Sequence, residues 1–165
     1  MTDRGPRSYL FALTDGGGTV PPELAVVRRL VDRGHRVRVL AEHSMQREVR
    51  RTGAEFLPPR RGPGGAADAP SHSDYRDWEL RSPLALARGM ADHMIAGSAR
   101  DLADELLPHL RSERPDLVVT SFVAFGAMVA AQSADVPFDV LVPNIYPMPT
   151  TGQPPMGMGL RPART

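Results

Sequence analysis

The chain has 165 residues, a formal net charge of +1 and no cysteine, enough for one domain with a substantial core and too little for two of ordinary size. The missing cysteine excludes disulfides and thiolate metal centres and fits a reducing, cytoplasmic setting, while the five His show no ligand spacing, so no metal is expected. All 20 basic residues are Arg, 12 of them against 7 acids in residues 1–61 and 8 against 12 beyond, a mild polarity that gives no ground for nucleic-acid binding.

Charges at Asp3, Arg4 and Arg7 leave no apolar stretch for a signal peptide at the start of the sequence. Ser8 to Thr14 is a short apolar run that predicts a first strand. Gly16-Gly17-Gly18-Thr19-Val20-Pro21-Pro22 follows as a turn before a helix that is under way by Glu23. Glycine lets the backbone bend sharply and approach a ligand, and proline fits the first turn of a helix, where its missing N–H would be unpaired anyway. Glu23 reads as a first-turn residue favoured by the helix dipole. Leu24, Val27, Leu30 and Val31 follow helical spacing and Gly34-His35 leads into a second strand over Arg36 to Ala41, so residues 8–41 form a βαβ unit.

Ser44 is expected to cap a short helix running through Thr52, Gly53 to end it, and Ala54 to Leu57 to supply a third strand. Pro58, Pro59, Gly62, Pro63, Gly64, Gly65 and Pro70 predict a long exposed loop over residues 58–73. Helical character returns from about Pro83, and Ala99, Leu102, Leu106 and Leu110 mark one face of a helix reaching about Arg111. A fourth strand over Asp116 to Thr120, a helix from Val123 to Ala134 and a fifth strand over Phe138 to Val142 complete the pattern. Leu117 to Ala134 is uncharged for 18 residues, the lower limit of a membrane span, but the strand and helix account for it, and no span is expected.

Strands alternating with helices predict an α/β fold: a Rossmann-like, doubly wound parallel sheet of order 3-2-1-4-5. Its chain direction reverses between the first and fourth strands, which opens a crevice at their carboxyl ends. The glycine turn and Ser121 are expected to face each other there. A dinucleotide fingerprint would find Gly16, Gly18 and Glu42 in place but meets Pro21 where its third glycine belongs, and a P-loop fails because the chain has no Lys. The plain alternative is a glycine turn that only joins strand to helix.

Several segments in order carry a more specific likeness. They are Gly18-Thr19-Val20-Pro21-Pro22, Leu30 to Val37, Arg51 to Pro58, Pro115 to Val119, and Val142 to Pro147 with Pro154-Pro155-Met156-Gly157. Together they resemble bacterial natural-product glycosyltransferases of the UDP-glycosyltransferase superfamily, which have the two-domain GT-B fold. The resemblance covers roughly residues 8–162 and implies the N-terminal, acceptor-binding half of such an enzyme, itself incomplete, with the donor-binding C-terminal domain absent.

In that family a His after the first strand takes the proton from an acceptor hydroxyl and a nearby Asp orients it, a task that suits a group titrating near neutrality. The resemblance places Thr19 at the His position and Ser121 at the Asp position, and neither hydroxyl is a base near neutrality. Asp15 is a candidate substitute base, against the plainer role of stabilising the turn. The resemblance assigns the acceptor surface to Gly17 and Gly18, to Tyr75 and Trp78 in the loop after the third strand, and to Asn144, Tyr146, Met148 and Met156 after the fifth. Aromatic and Met side chains suit a small hydrophobic acceptor. No resident cofactor is implied, since the nucleotide-sugar co-substrate would sit on the donor domain. Two other readings stay open: a noncatalytic helper for a full-length glycosyltransferase, and a truncated product without function.

Overall fold

A computed structural model describes residues 5–60 and 97–143, together with Ser82, Ala85, Arg88, Gly89 and Asp92. Strand β1 spans Ser8–Ala12; a 3-10 turn at Gly17–Thr19 opens directly into helix α1, Val20–Asp32. Strand β2 is Arg36–Leu40, and a second 3-10 turn, His43–Met45, leads into α2, Gln46–Arg51, and β3, Glu55–Leu57. From residue 97 on come α3, Gly97–Ser112; β4, Leu117–Ser121; α4, Phe125–Ser133; and β5, Phe138–Leu141.

All strand pairs are parallel, and the order is β3-β2-β1-β4-β5, the order expected from the alternation of elements. Side chains alternate across the sheet and sort its core into two layers. Leu10, Ala12, Leu40 and Val118 join Leu106 and Leu110 of α3 and Ala127, Ala130 and Ala131 of α4. Phe11, Val37, Val39 and Val119 join Leu24 and Val27 of α1 and Val49 of α2. Helices thus cover both faces, the condition for a fully parallel sheet to be stable.

Gly53 adopts φ +84° and its amide donates to the Arg50 carbonyl at 3.1 Å, closing α2 as the sequence predicts. Ser44 does not cap that helix: it lies inside the 3-10 turn, and its hydroxyl donates to Asp15 at 2.8 Å instead. Most elements end a residue or two inside their predicted limits, β1 at Ala12 and α4 at Ser133, whereas α1 begins three residues before Glu23. That early start follows from Pro21 and Pro22, whose fixed φ suits the first turn and whose missing N–H costs nothing there. Inside α3, Pro108 occupies a position where proline forfeits a backbone hydrogen bond.

Arg38 is one of the charged residues buried in the core. It is 4% exposed on β2, where its neighbours along the strand are apolar. Its guanidinium reaches the residue following α3, with 3.0 Å to a Glu113 carboxylate oxygen and 2.6 Å to the Glu113 carbonyl oxygen. Arg36 joins the same carboxylate and also lies 3.6 Å from Glu55. Burial and the neighbouring Arg36 lower the pKa of Arg38, and Glu55 partly restores it. The strand β5 stands at the sheet edge, with Phe138 and Val140 exposed and Val142 exposed just beyond it. Among the described residues no helix is long and apolar enough to cross a membrane.

Candidate functional site

The carboxyl ends of β1 and β4, which lie side by side in the sheet, define the switch point. After β1 the Leu13 amide still donates to the Leu40 carbonyl at 3.0 Å, and the chain then leaves the sheet at Thr14. Gly17 takes φ +63°, a conformation that L side chains rarely adopt, and Gly16, Gly17 and Gly18 are all exposed. Thr19 is half-buried and folds back over the turn: a methyl group on Gly16 would lie 2.7 Å from the Thr19 Oγ1. A side chain at position 16 would have to displace the Thr19 hydroxyl.

Asp15 is exposed and occupied. One carboxylate oxygen accepts from the Gly17 amide at 3.2 Å and the other from the Ser44 hydroxyl at 2.8 Å, while its own amide donates to Glu42 Oε1 at 3.1 Å. These bonds tie the glycine turn to the end of β2, the arrangement of a turn-stabilising Asp. Glu42, at the position where a dinucleotide fold would offer an acid to ribose, is part of the same tie. Asp15, Gly17, Val20, Pro21 and Ser44 line a shallow groove of about 250 Å3.

Ser121 ends β4 and is 1% exposed. Its carbonyl accepts from the Ala124 amide at 3.0 Å as the chain turns toward α4, and next to it the buried Thr120 hydroxyl donates to the Ala12 carbonyl at 3.2 Å, joining β4 to β1. The glycines are exposed and Ser121 is buried; what Ser121 meets is Glu23.

Glu23, in the first turn of α1 as expected, is also only 1% exposed. Neither of its carboxyl oxygens has a hydrogen-bond partner of ordinary geometry among the described residues. Burial pushes its pKa up from an ordinary 4.5 to about 7, and the neighbouring Ser121 hydroxyl, which favours the ionised form, offsets part of that rise. A buried, unpartnered carboxyl is costly, so groups of this kind concentrate where they are used. The sequence gives one signal for it: Glu23 follows Thr19, the residue before α1, by four positions, about one helical turn.

Tyr75, Trp78, Asn144, Tyr146, Met148 and Met156 lie outside the described residues. His109 is half-buried on α3; burial, then Arg38, hold its pKa below the usual range. Among the described residues no three His, Asp or Glu side chains are grouped so as to hold a metal ion.

A Rossmann-like half with its crevice at a β1–β4 switch point is the architecture of one domain of a GT-B enzyme. No family model matches the chain. A 4'-demethylrebeccamycin synthase from Lentzea aerocolonigenes is 29% identical over 154 residues, 93% of this chain and 36% of that protein. The glycosyltransferase of kitacinnamycin superposes with a TM-score of 0.62 at 23% identity, over 85% of this chain and 31% of the other. For the glycosyltransferase SnogD from Streptomyces nogalater the values are 0.61, 21%, 83% and 34%. The chain is thus similar in sequence and in fold to bacterial natural-product glycosyltransferases, and it spans about a third of the length of the relatives it matches.

Proposed function

We propose that this chain is the acceptor-binding part of an inverting glycosyltransferase that moves a hexose from a nucleotide-sugar to a hydroxyl of a small hydrophobic acceptor. The observation that carries the reading is the match to a sugar-transferring relative over nearly the whole chain, joined to a crevice at the β1–β4 switch point, where open α/β sheets bind ligands. The glycine turn offers backbone that a flat acceptor can approach closely. The nucleotide-sugar would be held by a donor domain, and transfer by this chain requires one. A cysteine-free composition suits work in the cytoplasm.

The test is to join the chain to the donor domain of a related enzyme and supply nucleotide-hexoses with a panel of polyphenol, polyketide and rebeccamycin-type acceptors. Formation of a glycoside supports the reading; no product from any pair, with both parts folded, overturns it.

A second reading is a noncatalytic helper for a full-length glycosyltransferase. It is favoured by Thr19 and Ser121, neutral side chains where the family resemblance places a His and an Asp. Purification from the native cell separates the two: a stable complex with a full-length glycosyltransferase supports the helper, and a solitary monomer counts against it.

A further inference from the structure

The two edges of the sheet are unlike. At one, β3 is three residues long and its Glu55 lies 3.6 Å from Arg36 of the neighbouring strand. At the other, apolar surface gathers: of the six large apolar side chains that the described residues expose, Phe138, Val140 and Val142 lie on β5 or directly after it, and Phe125 and Val129 on α4, the helix that leads into it. Single exposed apolar residues need no explanation, but a concentration of them marks an interaction surface.

Backbone and side chains of β5 call for the same occupant. The Val118 and Phe122 amides donate to the Pro137 and Leu141 carbonyls at 3.0 and 3.1 Å, so these positions turn their peptide groups toward β4. Successive residues of a strand alternate, and Phe138 and Val140 therefore turn theirs away from β4, to a side where the sheet has no strand. A row of outward N–H and C=O groups is matched by another extended segment rather than by a helix. Register sets Phe138 and Val140 level with Val118 and Thr120, on the side that α3 and α4 cover, and Asp139 level with Val119, on the side of α1. Asp139 is exposed and has no ion-pair partner among the described residues.

We propose that the outer edge of β5 is a docking site for an extended segment of another protein, with apolar residues at alternate positions and a Lys or Arg between two of them. The segment pairs with the outward backbone groups of Phe138 and Val140. Its apolar side chains continue the row of Phe138, Val140 and Val142 on the α4 side, and its basic side chain falls opposite Asp139. The charge selects this occupant: a cation gains a cross-strand ion pair, whereas a second copy of the chain would bring its own carboxylate to the pairing. The site is separate from the glycine turn and does not depend on the sugar-transfer reading.

The probe is a blocked nine-residue peptide in which threonine and valine alternate and the central residue, on the threonine side, is lysine; a second peptide has glutamate there. Each is titrated into the 15N-labelled full chain. The lysine peptide should shift amides of β5 and α4, leave those of β3 and α2 in place, and bind about fivefold more tightly than the glutamate peptide. Asp139→Lys, a change at an exposed position, should invert that preference, with circular dichroism confirming the fold. Equal binding of the two peptides, or a preference that Asp139→Lys leaves unchanged, overturns the proposal and makes the margin a surface that takes up any apolar chain. No binding at the highest peptide concentration that stays in solution overturns it too. A dimer of the chain alone in sedimentation, with β5 amides protected and neither peptide entering, gives the edge to a second copy and overturns it as well.

Discussion

The Cα of Gly126 lies against the backbone of Ala99, so that a methyl group on it would overlap the Ala99 carbonyl, 2.8 Å from its carbon, and stand 3.0 Å from the Ala103 nitrogen. Helix α4 is held on α3 at this point by backbone-to-backbone approach. Two effects oppose each other in Gly126→Ala: helix propensity favours alanine by about 1 kcal/mol, whereas an overlap with backbone, which cannot rotate aside, costs about 3 kcal/mol. The clash wins, and urea unfolding should show a net loss of about 2 kcal/mol. Equal or greater stability would mean that the helices are not in this contact.

Arg38 and Glu113 should respond unequally to removal. Among the described residues Glu113→Ala leaves the buried guanidinium hydrogen-bonded to the carbonyl oxygen of residue 113 alone, and since the Glu113 side chain is 40% exposed the loss should fall near the low end for broken buried pairs, about 3 kcal/mol. Arg38→Met removes the charge that needed a partner and fills similar space, so about 1 kcal/mol is expected. Denaturant melts of both variants give the comparison, and a costlier Arg38→Met would reverse the assignment of where the penalty lies.

Glu23 makes stability depend on pH with a definite sign. Its folded pKa is raised, so the unfolded chain releases this proton first. The penalty is absent below pH 4.5, grows as pH rises from 4.5 to about 7, and is complete above that. Moving the pKa this far corresponds to roughly 3 kcal/mol. The stability of Glu23→Gln relative to the wild type should therefore improve by about that amount between pH 4 and pH 8. A difference that stays flat with pH would show that the carboxyl is solvated.

Asp15 should behave as a turn residue. Asp15→Ala loses the bonds to the Gly17 amide and the Ser44 hydroxyl at an expected cost of about 1 kcal/mol. Asp15→Asn keeps an acceptor for the amide, and the serine hydroxyl can reverse its direction, so stability should change by less than about 0.5 kcal/mol. With a donor domain joined, Asp15→Asn should transfer at close to the wild-type rate; a loss of 100-fold or more would instead make Asp15 the base.

The order of elements and the strand order were legible because α1 and α3 each carry one apolar face and glycine or proline punctuates most joins. Leu24, Val27 and Gly53 behave in the structure as their spacing implies. The ends of elements were less legible: Ser44 has the chemistry of a cap, but its hydroxyl is drawn to Asp15, 29 residues away in sequence. Likewise Glu23 looks like an exposed first-turn acid, and its burial arises only when β4 comes to lie beside β1 and brings Ser121 up to it. Local pattern fixes a residue's place on its helix, whereas contacts across more than 90 residues of chain decide what covers it.

The edge strand β5 carries the cost of this architecture in solubility. Alternation puts Phe138 and Val140 on the same side of the strand, with Val142 next in line, each more than a third exposed. Between the first two stands the exposed Asp139. A charge in the middle of an edge strand opposes pairing with a second copy, since it would have to be desolvated or set against its own counterpart. Among the described residues, Asp139 thus sets a charge within the exposed apolar margin of the sheet.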